Sequence, residues 1–164
     1  MFDPLFAWLE STAFSVWINE SPSLFAFPGI LAAHTIGLGL LAGLHGALDL
    51  RLLGFAPQIP PIAFTRFLPV MRFGLILNVV TGVALLLAYP TKALTNPVFY
   101  LKLALIAAGL LILRETIRRV RANSAISSGT KVLAAVSLVV WAATITAGRL
   151  LAYTCTRLTV EMSC

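Results

Sequence analysis

The sequence predicts an all-α integral membrane protein, with four transmembrane helices preceded by an amphipathic helix lying in the interface. Three observations carry that expectation. Apolar residues make up 59% of the chain and charged residues only 11%, far outside the range of soluble domains. Four apolar runs, at 24–48, 65–89, 97–119 and 132–153, each reach the roughly 20 residues that a helix needs to cross a bilayer. Proline, glycine and arginine clusters separate the runs, as punctuation between helices should. A length of 164 residues then allows one membrane domain.

Taken in order, Asp3 and Pro4 suit a helix start, as N-cap and first helical residue. Over 3–19 the residues Glu10, Ser11, Ser15 and Asn19 fall on one side, with Leu5, Phe6, Leu9, Trp8 and Trp17 as apolar surface. That pattern predicts the interfacial helix. Acids near the start, where a signal peptide needs basic residues, predict a retained N-terminus. Ser21 and Pro22 restart the chain as the first span, with Pro28 expected to kink it early. Gly54 and the prolines at 57, 60 and 61 end that span, and Pro90 stops the second. Asn96 and Pro97 open the third, and a serine-containing linker at 122–129 leads to the fourth.

Loop charge predicts the orientation. Arg51, Arg66 and Arg72 flank the first connection, and Arg114, Arg118, Arg119, Arg121 and Lys131 flank the third, whereas the second has only Lys92. By the positive-inside rule the first and third connections are cytoplasmic and both termini are outside. The expected location is a bacterial inner membrane with periplasmic termini. Cys155 and Cys164 then either pair or remain two tail thiols. The net charge of +6 comes with no basic patch interleaved with aromatics, so no nucleic-acid partner is expected.

Both histidines lie in the first span. His34 sits near mid-depth and His45 near one end, where ionisable rings are costly. Their spacing of 11 residues is almost three whole turns, which predicts one histidine stripe with the rings about 20° apart. Gly39, Gly43 and Gly46 fall on the opposite face, where another helix backbone is expected to come close.

A rise of about 1.5 Å per residue sorts the polar groups into two layers. His34 is expected level with Asn78 and Trp141, with Lys102 and Arg149 roughly 6 to 7 Å farther out. This suits b-type haem, with a histidine nitrogen on the iron and the two cations on the propionates. The inner layer gathers His45, Asp49, Met71, Arg72 and Arg66 as a conceivable second metal or haem site. Each has a plainer reading. His34 can bond to a neighbouring helix, His45 can be solvated or paired with Asp49, Lys102 and Arg149 can snorkel, and Met71 can simply pack. The histidines are roughly 16 Å apart along the axis, too far to share an iron. Two ligands, His45 and Met71, make a poor copper site. No catalytic motif is found, and a non-catalytic subunit is expected.

Several stretches together carry a resemblance. They are His34 with the following glycines, Asp49-Leu-Arg51-Leu-Leu-Gly54, Thr81-Gly82, Asn96-Pro97 with Phe99 and Lys102, Trp141, and Gly148-Arg149-Leu-Leu-Ala152-Tyr153. In order and spacing, over nearly the whole chain, they resemble a family of small bacterial four-helix inner-membrane proteins known as a domain of unknown function. More distantly the pattern is similar to small membrane cytochromes b and copper-resistance membrane domains. One departure is Thr116, where relatives often carry a histidine near the inner end of the third span. The resemblance implies a four-helix membrane protein without assigned activity. Two functions are expected from residues and resemblance together. One is an electron-transfer type subunit holding haem b at His34; the other is a structural or assembly subunit with no cofactor. Expected partners are the lipid bilayer and other membrane subunits or a second copy of the chain.

Overall fold

The computed structural model describes residues 3–122 and 126–153. Cys155 and Cys164 lie outside them, so their pairing does too. Regular structure among the described residues is entirely helical, and four helical stretches are long and apolar enough to cross a membrane: Phe27–Leu53, Pro61–Ala88, Pro97–Arg121 and Ser128–Leu151. The chain is an all-α, four-span integral membrane protein.

The N-terminal helix expected at 3–19 is two helices, α1 (Asp3–Glu10) and α2 (Ala13–Glu20). Ser11 and Thr12 break it because their hydroxyls bond back to the carbonyls of Trp8 and Leu9 at 2.8 Å each, a local competitor of the helical ladder. Thr12 then caps α2 by accepting from the Ser15 N–H at 3.3 Å. The polar side of α2 also faces protein. Ser15 and Asn19 both donate to the Ala88 carbonyl, at 3.2 and 3.1 Å, where the end of the second span leaves acceptors unsatisfied. Trp8, Trp17, Leu5 and Phe14 remain exposed.

The first span comprises α3 (Phe27–Leu38), a π-helical turn (Gly39–Gly43) and α4 (Leu44–Leu53). Pro28 stands in the first turn of α3, where its missing N–H costs nothing, so it starts the helix and does not kink it. Gly54 closes α4 at φ 116°, a left-handed cap that glycine adopts without strain. Arg51 turns back to donate to the carbonyls of Ile59 and, at 2.9 Å, Pro57, fastening the connection. A 3₁₀ turn (Pro61–Phe67) leads into α5 (Leu68–Ala88), followed by the short α6 (Pro90–Leu94). Asn96 caps α7 (Pro97–Arg121) by accepting from the Val98 N–H at 2.9 Å, and α8 (Ser128–Tyr153) completes the bundle.

The spans form an arc. α3 and the π turn pack on α5, α4 packs on α8, and α8 packs on α7, while α5 and α7 are not paired along their lengths. The tightest crossing is that of α3 with α5. A Cβ on Gly37 would stand 2.8 Å from the Gly74 carbonyl oxygen, and one on Gly74 would stand 2.8 Å from that of Gly37. Only two glycines permit this approach. The expectation of a close helix on Gly39 and Gly43 is not met, for both are exposed and a Cβ added at either would have no heavy atom within 4 Å. Gly46 meets only the Leu138 side chain, at 3.5 Å. The wider π turn rotates that face away from the helices of the arc.

Candidate functional site

The two histidines occupy separate polar layers and face different neighbours of the first span. His34 meets α5, whereas His45 meets α8. The single histidine stripe expected from an unbroken helix is therefore absent. Five π-helical residues, Gly39–Gly43, lie between the rings. A π turn takes in about one extra residue, which turns everything beyond it by roughly 100°.

In the outer layer, His34 Nδ1 lies 2.9 Å from Thr81 Oγ1. The Thr81 hydroxyl also reaches the Leu77 carbonyl at 2.6 Å. A hydroxyl has one hydrogen to donate, so with that hydrogen on the Leu77 carbonyl Thr81 accepts from His34 Nδ1–H, and with it on the ring Nδ1 is the acceptor. The Asn78 backbone also lies beside the ring, and the one close side-chain bond of the imidazole is through Nδ1. Asn78 fixes the backbone beneath the ring by donating to the His34 carbonyl at 2.8 Å. Gly82 makes room for the imidazole, since a Cβ there would come to 3.3 Å from Cε1. Lys102 is half-buried, with its stem against Gly148 on α8 and its charge within electrostatic reach of His34. Arg149 is exposed and does not join the group.

The inner layer is built on His45 and Asp49, both with no solvent exposure and one helical turn apart. The Trp141 indole N–H donates to His45 Nδ1 at 2.7 Å. Indole nitrogen is only ever a donor, so this imidazole carries its proton on Nε2. That proton faces the Ser137 hydroxyl at 3.3 Å and Asp49 Oδ1 at 3.6 Å. Trp141 thus belongs to the inner layer and is not level with His34. Gly109 on α7 provides its space, as a Cβ there would be 3.0 Å from the indole.

The Asp49 carboxylate makes no close hydrogen bond and has only the Ser137 hydroxyl and, at 3.6 Å, His45 Nε2 beside it, and the buried hydroxyl of Thr116 has no partner among the described residues. Their neighbours Leu48 and Ile117 share one apolar cluster with Ala134, which brings the two groups to a common level of the bundle. Leaving such atoms unsatisfied in an apolar interior is costly. Met71, 1% exposed, packs among Leu41, Ala42 and Trp141. No cluster of three or more His, Cys, Asp or Glu side chains suited to a metal occurs among the described residues. Arg72 and Arg66 are exposed. Ser137 is the site residue that sequence reasoning missed, while Thr81 and Thr116 entered it only through the resemblance and without a role as hydrogen-bonding partners. Their signal was available, because isolated hydroxyls in otherwise apolar spans tend to serve a partner.

The donor atoms at His34 fit one axial ligand of haem or another metal centre. Thr81 orients the ring through its far nitrogen, as hydrogen-bond partners commonly orient metal-bound histidines. The surroundings do not fit a haem enclosed on the α5 side, where the Gly37–Gly74 crossing leaves no room. If a haem were held here, His34 would be the chain's nitrogen ligand to it and Thr81 would orient the ring.

The fold and both layers define a four-span membrane protein with two intramembrane histidine sites. No family model, curated protein or solved structure matches the chain.

Proposed function

We propose that this chain is a small, non-catalytic membrane subunit of electron-transfer type, in which His34 gives one axial nitrogen to b-type haem shared with another subunit or a second copy. The observation that carries the reading is the 2.9 Å bond of His34 Nδ1 to Thr81, which engages one ring nitrogen and leaves Nε2 as the one for a ligand. Lys102, at electrostatic reach, supplies a cation for a propionate. Haem would contribute one-electron chemistry; the chain's own part is to orient the imidazole. Protein from haem-replete expression should show a Soret band that His34→Ala removes and His45→Ala retains. Thr81→Val should weaken retention by about 10-fold or more, with Thr81→Ser close to wild type. A colourless preparation would overturn the haem reading.

The second reading is a structural or assembly subunit without a cofactor. It is favoured by the exposed Gly39 and Gly43, which leave a shallow groove for a helix of another subunit. Loop charge further supports a bacterial inner-membrane location, with the arginines of α7 in the cytoplasm and both termini in the periplasm. A periplasm-dependent reporter fused to the C-terminus should be active. A silent but well-expressed fusion would reverse that orientation.

A further inference from the structure

The arc of helices leaves a cleft of about 460 Å³ between α5 and α7; it borders the inner layer through Leu41, Met71 and Ile117 but is lined by neither histidine. Its depth is apolar, walled by Leu41, Leu75, Leu110 and Leu113. Its other end is basic. Along α7 the lining passes from Leu110 and Leu113 to Arg114, Arg118 and Arg121, a change over 11 residues of helix, or roughly 16 Å. Arg72 adds a guanidinium from α5.

These arginines are not equivalent. Arg118 is engaged by Glu115 at 2.7 and 2.8 Å. Arg72, Arg114 and Arg121 have neither an ion pair nor a hydrogen bond among the described residues. All three are exposed, so the cleft opens sideways, toward the surroundings of a membrane-spanning bundle. Three unneutralised guanidinium groups at one end of an apolar gap call for an anion with an apolar tail. The size lies within the range of small-molecule sites.

We propose that the α5–α7 cleft is a binding site for one anionic phospholipid of the phosphatidylglycerol class. An acyl chain lies along Leu75, Leu110 and Leu113, and the phosphodiester meets Arg72, Arg114 and Arg121. Charge complementarity selects this occupant over a zwitterionic lipid, whose headgroup carries its own cation, and over an apolar helix, which would leave the arginines unanswered. The bound lipid fills the gap where α5 and α7 are not paired along their lengths.

The test is native mass spectrometry of the full chain, released from mixed micelles containing phosphatidylglycerol and phosphatidylcholine in equal amounts. Phosphatidylglycerol should be retained preferentially. Arg72→Ala, Arg114→Ala and Arg121→Ala should each reduce that preference about fivefold, while Arg66→Ala, outside the cleft, leaves it unchanged. Leu113→Trp should lower retention with every charge in place, because it fills the acyl-chain path. Equal retention of the two lipids, an unchanged preference in the triple alanine variant, or displacement of the lipid by millimolar inorganic phosphate would each overturn the proposal. Circular dichroism of the variants checks that a lost preference is not a lost fold.

Discussion

Gly74→Leu is expected to separate the first two spans and to lower stability by about 3 kcal/mol. A Cβ at Gly74 would lie 2.8 Å from the Gly37 carbonyl oxygen and 3.1 Å from the Leu41 nitrogen. Both are backbone atoms, so relief requires moving one helix off the other, unlike a clash with a flexible side-chain end. The consequence reaches the outer layer, because the same crossing holds Thr81 and Asn78 against His34. Gly43→Leu is the matched comparison. Gly43 has nothing within 4 Å of an added Cβ, and the isolated chain should tolerate leucine there within about 0.5 kcal/mol. Thermal unfolding in mild detergent measures both. Equal melting of Gly74→Leu and wild type would show that the α3–α5 crossing is wider than described.

The second large effect is opposite in sign for two residues of one cluster. Asp49→Leu should raise stability by about 1 to 4 kcal/mol, because it removes a buried carboxylate that has only Ser137 and, at 3.6 Å, His45 beside it and makes no close hydrogen bond. His45 does not become an isolated charge in that variant. Its Nδ1 keeps the Trp141 donor and its Nε2 keeps Ser137. Trp141→Phe should instead cost about 1 to 3 kcal/mol, since the ring volume is largely kept while Nδ1 loses its only donor. Chemical or thermal unfolding of the two single variants decides the matter. If Asp49→Leu proves destabilising, the carboxylate holds a bound water or ion, and the inner layer is a ligand site in its own right.

Much of the architecture was legible because a membrane simplifies the rules. The apolar runs had to be helices, since a backbone crossing lipid must satisfy its own hydrogen bonds. Their ends were marked by residues whose local chemistry acts alone. Gly54 takes the left-handed cap and Pro97 starts a helix behind the Asn96 cap, whereas Pro28, expected to kink the first span, stands in its first turn. Expectation and structure part where a side chain's own neighbours override helical periodicity. Ser11 and Thr12 break the N-terminal helix through bonds to preceding carbonyls. The polar side of α2, expected to face water, meets the unsatisfied end of α5.

For the site, sequence alone determined which ionisable groups lie within the spans and that the two histidines are too distant to share one ion. Counting depth along the helices put Asn78 beside His34 and Asp49 near His45, but it also put Trp141 level with His34, where the structure joins it to His45. What only the tertiary structure decided is direction around the axis. A 3.6-residue period put His34 and His45 in one stripe, and the π turn at Gly39–Gly43 sent them to α5 and α8. The ring contacts came with those neighbours, Thr81 on Nδ1 of His34 and the Trp141 donor on Nδ1 of His45, which puts the proton of the second ring on Nε2. The physical reason is that axial position accumulates evenly at each residue, whereas azimuth is lost with one widened turn. The partners of the two rings are 47 and 96 residues away in the chain.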